Sequence, residues 1–167
     1  MNHFFIMKTS SKISSGFTLI ELMIVIAIIA IIAAIAIPNM IRARMAANEA
    51  NAIGGLRTIS TGEIQYRAAM EGPLVGGVAP FGTLSALGST APPFLDALLG
   101  QNNAIKSGYQ YNVVVVAPAP ANPPAFGATA GRLGPRSGSR SFFVDESGVV
   151  TGVIGNGPAT ATDDPIS

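Results

Sequence analysis

Between Lys12 and Arg42 the chain has a single ionisable side chain, the carboxylate of Glu21. It stands at the leading edge of Leu22–Ile41, LMIVIAIIAIIAAIAIPNMI, twenty residues without a charge. An unpaired carboxylate facing hydrocarbon is costly, so a charge kept there needs a partner, and the chemistry on offer is ion pairing rather than proton transfer. The other carboxylates are less pointed. Asp145 and Glu146 are adjacent in a turn sequence, where turn formation and solubility outweigh an acid/base role. Asp163 and Asp164 in the C-terminal tail are weak calcium candidates, because two neighbouring carboxylates fall short of the six to eight oxygens calcium takes. Arg132, Arg136 and Arg140, with Phe142 and Phe143 nearby, supply too little charge for a nucleic-acid surface. The only histidine is His3 and there is no cysteine, which removes His-based catalysis, thiolate metal sites, cysteine nucleophiles and disulfides together.

The remaining composition agrees. Apolar residues make up 49% of the 167 and charged residues 11%, against about 25% charged in ordinary soluble domains. The length fits one domain, and the formal net charge of +1 gives no bulk footprint for nucleic acid, so neither an enzyme nor a specific nucleic-acid binder is expected. No cofactor is expected either.

Twenty apolar residues at 1.5 Å each reach about 30 Å, the hydrocarbon thickness of a bilayer. A buried core helix is the alternative, but the remaining chain is too small and too rich in Gly and Pro to wrap such a helix on every side. A secretory signal peptide is a second alternative, with Lys8 and Lys12 as its basic region and Ala34-Ile35-Ala36 as its cleavage site. The length of the apolar stretch and the charge of Glu21 at its edge argue against that. Flanking charges, Lys8 and Lys12 before and Arg42, Arg44 and Arg57 after, leave orientation open.

Gly16-Phe17-Thr18-Leu19-Ile20-Glu21-Leu22, behind a short polar leader with two lysines, resembles the class III signal and N-terminal helix of the type IV pilin superfamily, which includes the pseudopilins of type II secretion. The resemblance implies cleavage between Gly16 and Phe17 by a membrane prepilin peptidase and N-methylation of the new Phe17 amine. It implies that Glu21 meets the amine of an adjacent subunit and so fixes register in a filament core. Pro38, followed by Asn39, matches the family's helix-bending proline. Physically, a proline there removes one amide donor and crowds the Ala34 carbonyl, so a kink between Ala34 and Pro38 is expected. The alternative role of Glu21 is to cap its own helix, where the macrodipole favours a carboxylate.

Beyond the apolar stretch, Ile53, Leu56, Ile59, Ile64 and Met70 fall on one broad helical face, with Glu63 intruding on it. Gly54, Gly55 and Gly62 predict bending or close backbone approach. The helix is expected to end near Met70 or Glu71, before Gly72-Pro73. Residues 72 to 108 read as loop, with apolar pieces at Phe81–Leu87 and Phe94–Leu99, the second a helical turn or two. Tyr109–Val116, Ser141–Val144 and Val149–Ile154 read as a three-stranded antiparallel meander, with room for another edge strand and with Asp145-Glu146-Ser147-Gly148 as a turn. Ala117–Gly138 reads as an exposed Pro/Gly/Ala-rich loop, and the tail from Gly155 as ordered only when something binds it. Asn51–Tyr66, Lys106–Tyr109 and Ser139–Val149 are similar to segments of cysteine-free pilin-like proteins. The absent C-terminal cysteine pair bars any transfer of adhesion residues from pilins stapled by a disulfide.

The expected fold is therefore α+β: a leader at 1–16, a transmembrane and filament-core helix at 17–41, an amphipathic half at 42–71, and a β head at 72–167. The resemblance implies a structural filament subunit that is a single-pass inner-membrane protein before assembly and a surface pilus or periplasmic pseudopilus component after it. Its implied partners are itself, the prepilin peptidase, the inner-membrane assembly platform and minor pilins. A type II secretion pseudopilin is the alternative within the family, and a single-pass membrane-anchored binding protein the alternative from another class.

Overall fold

The computed structural model describes residues 16–69, 81–116, 123–155 and 157–166. The leader through residue 15, the expected helix end at Met70 or Glu71, and residues 117–122 of the expected loop lie outside them. The architecture is α+β, with a long N-terminal helix α1 (Leu19–Ala69), a short helix α2 (Leu84–Ser89), and one antiparallel sheet of five strands. The strands are β1 (Ile105–Lys106), β2 (Tyr109–Val116), β3 (Ala125–Arg132), β4 (Arg140–Asp145) and β5 (Val150–Ile154), neighbours in the order of the sequence. The chain divides into two compact units after Asn39, and the packed core belongs to the second, Met40–Ser167.

Within that unit the buried stripe of α1 is Glu49, Ala52, Gly55, Leu56, Ile59, Ser60, Gly62 and Glu63, the three-and-four spacing of one helical face. Leu56 and Ile59 fall on it as expected, but Ile64 does not and is 58% exposed, because its neighbour Glu63 takes the inward position. Two of the three helical glycines serve close approach. A Cβ on Gly55 would stand 2.6 Å from the Tyr111 hydroxyl, and one on Gly62 would press on Leu95 and Leu87, whereas Gly54 faces open space. Tyr111 fills the room Gly55 leaves and donates its hydroxyl to the Asn51 carbonyl at 3.4 Å.

The principal correction concerns β3. Ala125–Arg132, inside the stretch read as an exposed loop, is a strand between β2 and β4, paired with β2 over its whole length. Its sequence, AFGATAGR, has only Phe126 and Thr129 among the β-branched and aromatic residues that mark strands, and five of its eight residues are Ala or Gly. The reason is packing. Ala128 lies between Val113 and Val144, and Ala130 between Tyr111 and Phe142, so small side chains alternate with large ones across the buried face. Gly127 likewise makes room for the Phe143 ring, 2.9 Å from where a Cβ would sit. Four strands thus continue one another from β2 to β5, rather than three.

Two smaller differences have local causes. Phe94–Leu99 is not helical, because the Asp96 carboxylate accepts from the Leu98 and Leu99 amides and closes a turn. The helical turns fall at Leu84–Ser89 instead, where Thr83 caps the first turn through the Ala86 amide. The tail is held by the chain itself: the Ile166 amide bonds the Val150 carbonyl, the Gly152 amide bonds the Asp164 carbonyl, and Thr151 donates to the Thr160 carbonyl. Pro165 is thereby bridged to Thr151 on the outer side of β5.

Candidate functional site

The four chemistry-bearing residues at the head of α1, Gly16, Phe17, Thr18 and Glu21, fall within a span of six positions. Gly16, Phe17 and Thr18 precede α1, and Phe17 is 85% exposed. Thr18 and Glu21 form a reciprocal capping box: the Thr18 amide and hydroxyl both donate to Glu21 Oε2, at 2.9 and 2.7 Å, and the Glu21 amide donates back to the Thr18 hydroxyl at 3.3 Å. Glu21 is thus a cap of its own helix, satisfying donors that a helix N-terminus leaves free. Both accepted bonds fall on one oxygen, so Oε1 keeps its lone pairs for another donor. Thr18 is the residue sequence reasoning passed over. Its signal was the Thr-x-x-Glu pattern directly before an apolar run.

From Phe17 to Ile41 every residue except Ala33 is exposed, and the large apolar side chains point out around the full circumference. Such a surface is unlike that of a soluble monomer, where exposed apolar patches are small. The helix is long and apolar enough to cross a membrane, and none of its most apolar window is buried. Pro38 lies inside it, and the helix runs on through that position.

A second cluster joins α1 to the sheet. Glu49, 8% exposed, accepts from the Ser139 amide and hydroxyl, both at 2.6 Å, and from Arg140 Nε at 3.2 Å, with Arg140 Nη2 also at 3.2 Å. Burial pushes this carboxyl up, and the Ser139 and Arg140 donors together outweigh it and hold it below the usual range. Arg140 also stacks its guanidinium 5.6 Å from the Phe142 ring centre, while the buried Tyr109 donates to the Arg140 carbonyl at 2.7 Å. Glu49→Ala leaves those donors without their acceptor and is expected to destabilise the head by about 2–3 kcal/mol at pH 7, the scale of hydrogen bonds to charged groups. Because the folded-state pKa is depressed, the contribution is present above the ordinary pKa of 4.5 and fades as pH falls through the lowered value. Denaturant melts of wild type and variant at pH 7 and pH 3 check this, with the gap narrowing in acid.

The remaining candidates are accounted for by the fold. Arg132 donates to the Gly155 and Gly138 carbonyls and Arg140 is paired with Glu49, so two of the three spaced arginines hold the head together. Asp145 accepts from the Ser147 amide at 2.9 Å, in a turn completed by Gly148 at φ 73°. Asp163 accepts from the amide and hydroxyl of Thr160, closing a turn in the tail. Asp164 lends its backbone carbonyl to Gly152. Among the described residues no three His, Cys, Asp or Glu side chains gather as a metal site.

Comparison with known proteins bears on the first cluster. Residues 11–37 match the prokaryotic N-terminal methylation motif, which spans the Gly16-Phe17 step, Glu21 and the apolar helix up to Ile37. No curated protein and no solved structure matches the chain. An exposed Gly-Phe step, a capped carboxylate and an unburied apolar helix all fall within that matched stretch, and the chain carries a class III prepilin signal, the hallmark of type IV pilins and pseudopilins.

Proposed function

We propose that the chain is a structural subunit of a type IV pilus-like filament, inserted in the inner membrane as a precursor and polymerised after loss of residues 1–16. The observation that carries this reading is the matched prepilin signal on a helix whose apolar residues face outward on all sides. A surface of that kind needs lipid at one stage and other copies of the same helix at another. Glu21 holds register by meeting the Phe17 amine of a neighbour, through the oxygen its own cap leaves free. Pro38 bends the helix as it packs among its neighbours. The pilin-type motif points to a structural subunit rather than an enzyme.

Processing provides the direct test. The mature chain is expected to begin at N-methylated Phe17, and loss of Lys8 and Lys12 leaves eight basic and nine acidic side chains, a net −1. Mass spectrometry of the N-terminal peptide from assembled material reads this. A terminus at Met1, or at Ile37 after ordinary signal-peptidase cleavage, would overturn it. Purified surface fibres composed chiefly of this protein support the pilus subunit. A secretion defect without surface fibres supports the pseudopilin, and processed protein that never polymerises supports a membrane-anchored binding head.

A further inference from the structure

Among the described residues, Glu63 is the one carboxylate of the head that the fold buries without a charged partner. Its side chain is fully inaccessible, on the inward stripe of α1. The Gly82 amide donates to Oε2 at 2.9 Å, and Oε1 has no partner among the described residues. Gly82 is wedged between Leu87 and the Tyr66 ring, so closely that a Cβ there would meet Leu87 Cδ1 at 2.4 Å. The segment around it is fixed on its other side by Phe81, whose ring lies 4.8 Å from that of Phe126 on β3. The Glu63–Gly82 bond therefore joins α1 to the start of the segment that carries α2.

We infer that Glu63 is a proton-dependent latch: protonated, it lets Phe81–Leu87 close on α1, and ionised, it loosens that closure. A neutral carboxylic acid tolerates one hydrogen bond in an apolar site, whereas an anion there lacks the several donors that a buried charge requires. Among the described residues no cation pairs with it. Arg67, one turn further along α1, stacks its guanidinium 5.1 Å from the Phe81 ring centre. Tyr66 packs edge-on to Phe94, and Asp96 is tied to Lys106 at 3.1 Å. Tyr111 on β2 spends its hydroxyl on Asn51, and residues 81–89 contain no titratable side chain. Burial, only partly offset by the Gly82 amide, raises the Glu63 pKa to about 7.

The direction follows from linkage. A carboxyl whose closed-state pKa lies above its ordinary 4.5 binds its proton more tightly when closed, so the closure is firmest below about pH 4.5 and is lost as pH rises through about 7. The mature sequence has neither histidine nor cysteine, since His3 lies in the leader. Among the described residues, Glu63 is the carboxyl whose pKa is raised to about 7.

The test uses the mature full-length chain in detergent micelles. Carboxyl-labelled glutamate is expected to show one resonance titrating near pH 7 that disappears in Glu63→Gln. Amide exchange at Gly82, corrected for its intrinsic pH dependence, is expected to report an opening constant roughly 70-fold larger at pH 8 than at pH 5. The Gly152 amide, bonded to the Asp164 carbonyl far along the sequence, serves as the reference and is expected to hold steady. A Glu63 resonance titrating below pH 5, a Gly82 opening constant indifferent to pH, or an equal change at Gly152 would each overturn the latch. The wild-type titration and exchange decide the matter even where Glu63→Gln fails to fold.

Discussion

Glu21→Ala protein is expected to insert in the membrane as well as wild type, to be cut between Gly16 and Phe17, and to yield on the order of tenfold fewer filaments or less still. Insertion is spared because the substitution removes a charge from the edge of an apolar helix. Under the proposed pairing, assembly is not expected to be spared, because each incoming Phe17 amine would then enter an apolar surrounding without a carboxylate. The capping box complicates this reading, since Glu21 also closes the first turn of its own helix through Thr18. Two further variants separate the roles. Thr18→Ala removes the cap and keeps the charge, at a cost to the helix of about 1 kcal/mol, and is expected to leave filament yield within about twofold. Glu21→Gln keeps an acceptor near Thr18 and loses the charge, and is expected to behave like Glu21→Ala. The measurement is filament yield against membrane-fraction monomer, with processing at Phe17 verified in every variant. Normal filaments from correctly processed Glu21→Ala protein would falsify charge pairing, and equal losses in Thr18→Ala and Glu21→Gln would assign assembly to the cap.

The largest stability change is expected at Gly88, where two considerations have opposite sign. Gly88 lies inside α2, and helix propensity alone favours alanine by about 1 kcal/mol. A Cβ there would fall 2.6 Å from the Gly100 Cα and 2.7 Å from its carbonyl oxygen, a collision with backbone that no rotamer change relieves. Since forced overpacking costs about 1–3 kcal/mol and here moves main chain rather than a flexible tip, Gly88→Ala is expected to destabilise the head by about 3 kcal/mol. Gly54→Ala is the control, on an exposed helical face with nothing within 4 Å, and is expected to stabilise by up to about 1 kcal/mol. Denaturant melts of both variants in micelles read the difference. Stabilisation by Gly88→Ala would show that α2 and Gly100 lie further apart than described.

Local signals made much of this molecule legible in its sequence. The apolar run, the Gly-Phe step, and the β-branched or aromatic strands β2, β4 and β5 all carry their evidence within ten or twenty residues. What failed to show was written in long-range contacts. Ala128 and Ala130 look like loop residues until Val113, Tyr111, Phe142 and Val144 are placed beside them. Gly138, read as loop, is buried because a Cβ there would fall on the Tyr109 hydroxyl. The pairing of Glu49 with Ser139 and Arg140 spans about ninety residues, and no spacing rule connects them. Glu63 was visible as an intruder on an apolar face, yet its single donor, Gly82, belongs to a segment with no charge to announce it. The clearest local omission was Thr18, whose capping pattern was complete in four residues.

The tail folded along β5 also bears on solubility. An outermost strand offers a row of free amides and carbonyls to any other extended chain, and natural sheets screen such rows against runaway strand addition. Here the Val150 carbonyl and the Gly152 amide are occupied by Ile166 and Asp164, and Gly152 lacks the side chain that would push Ile166 away. The proposed polymerisation would thus be kept apart from amyloid-like stacking of the sheet: residues 164–166 cover part of this rim, and growth would be left to the helix at the other end of the sequence.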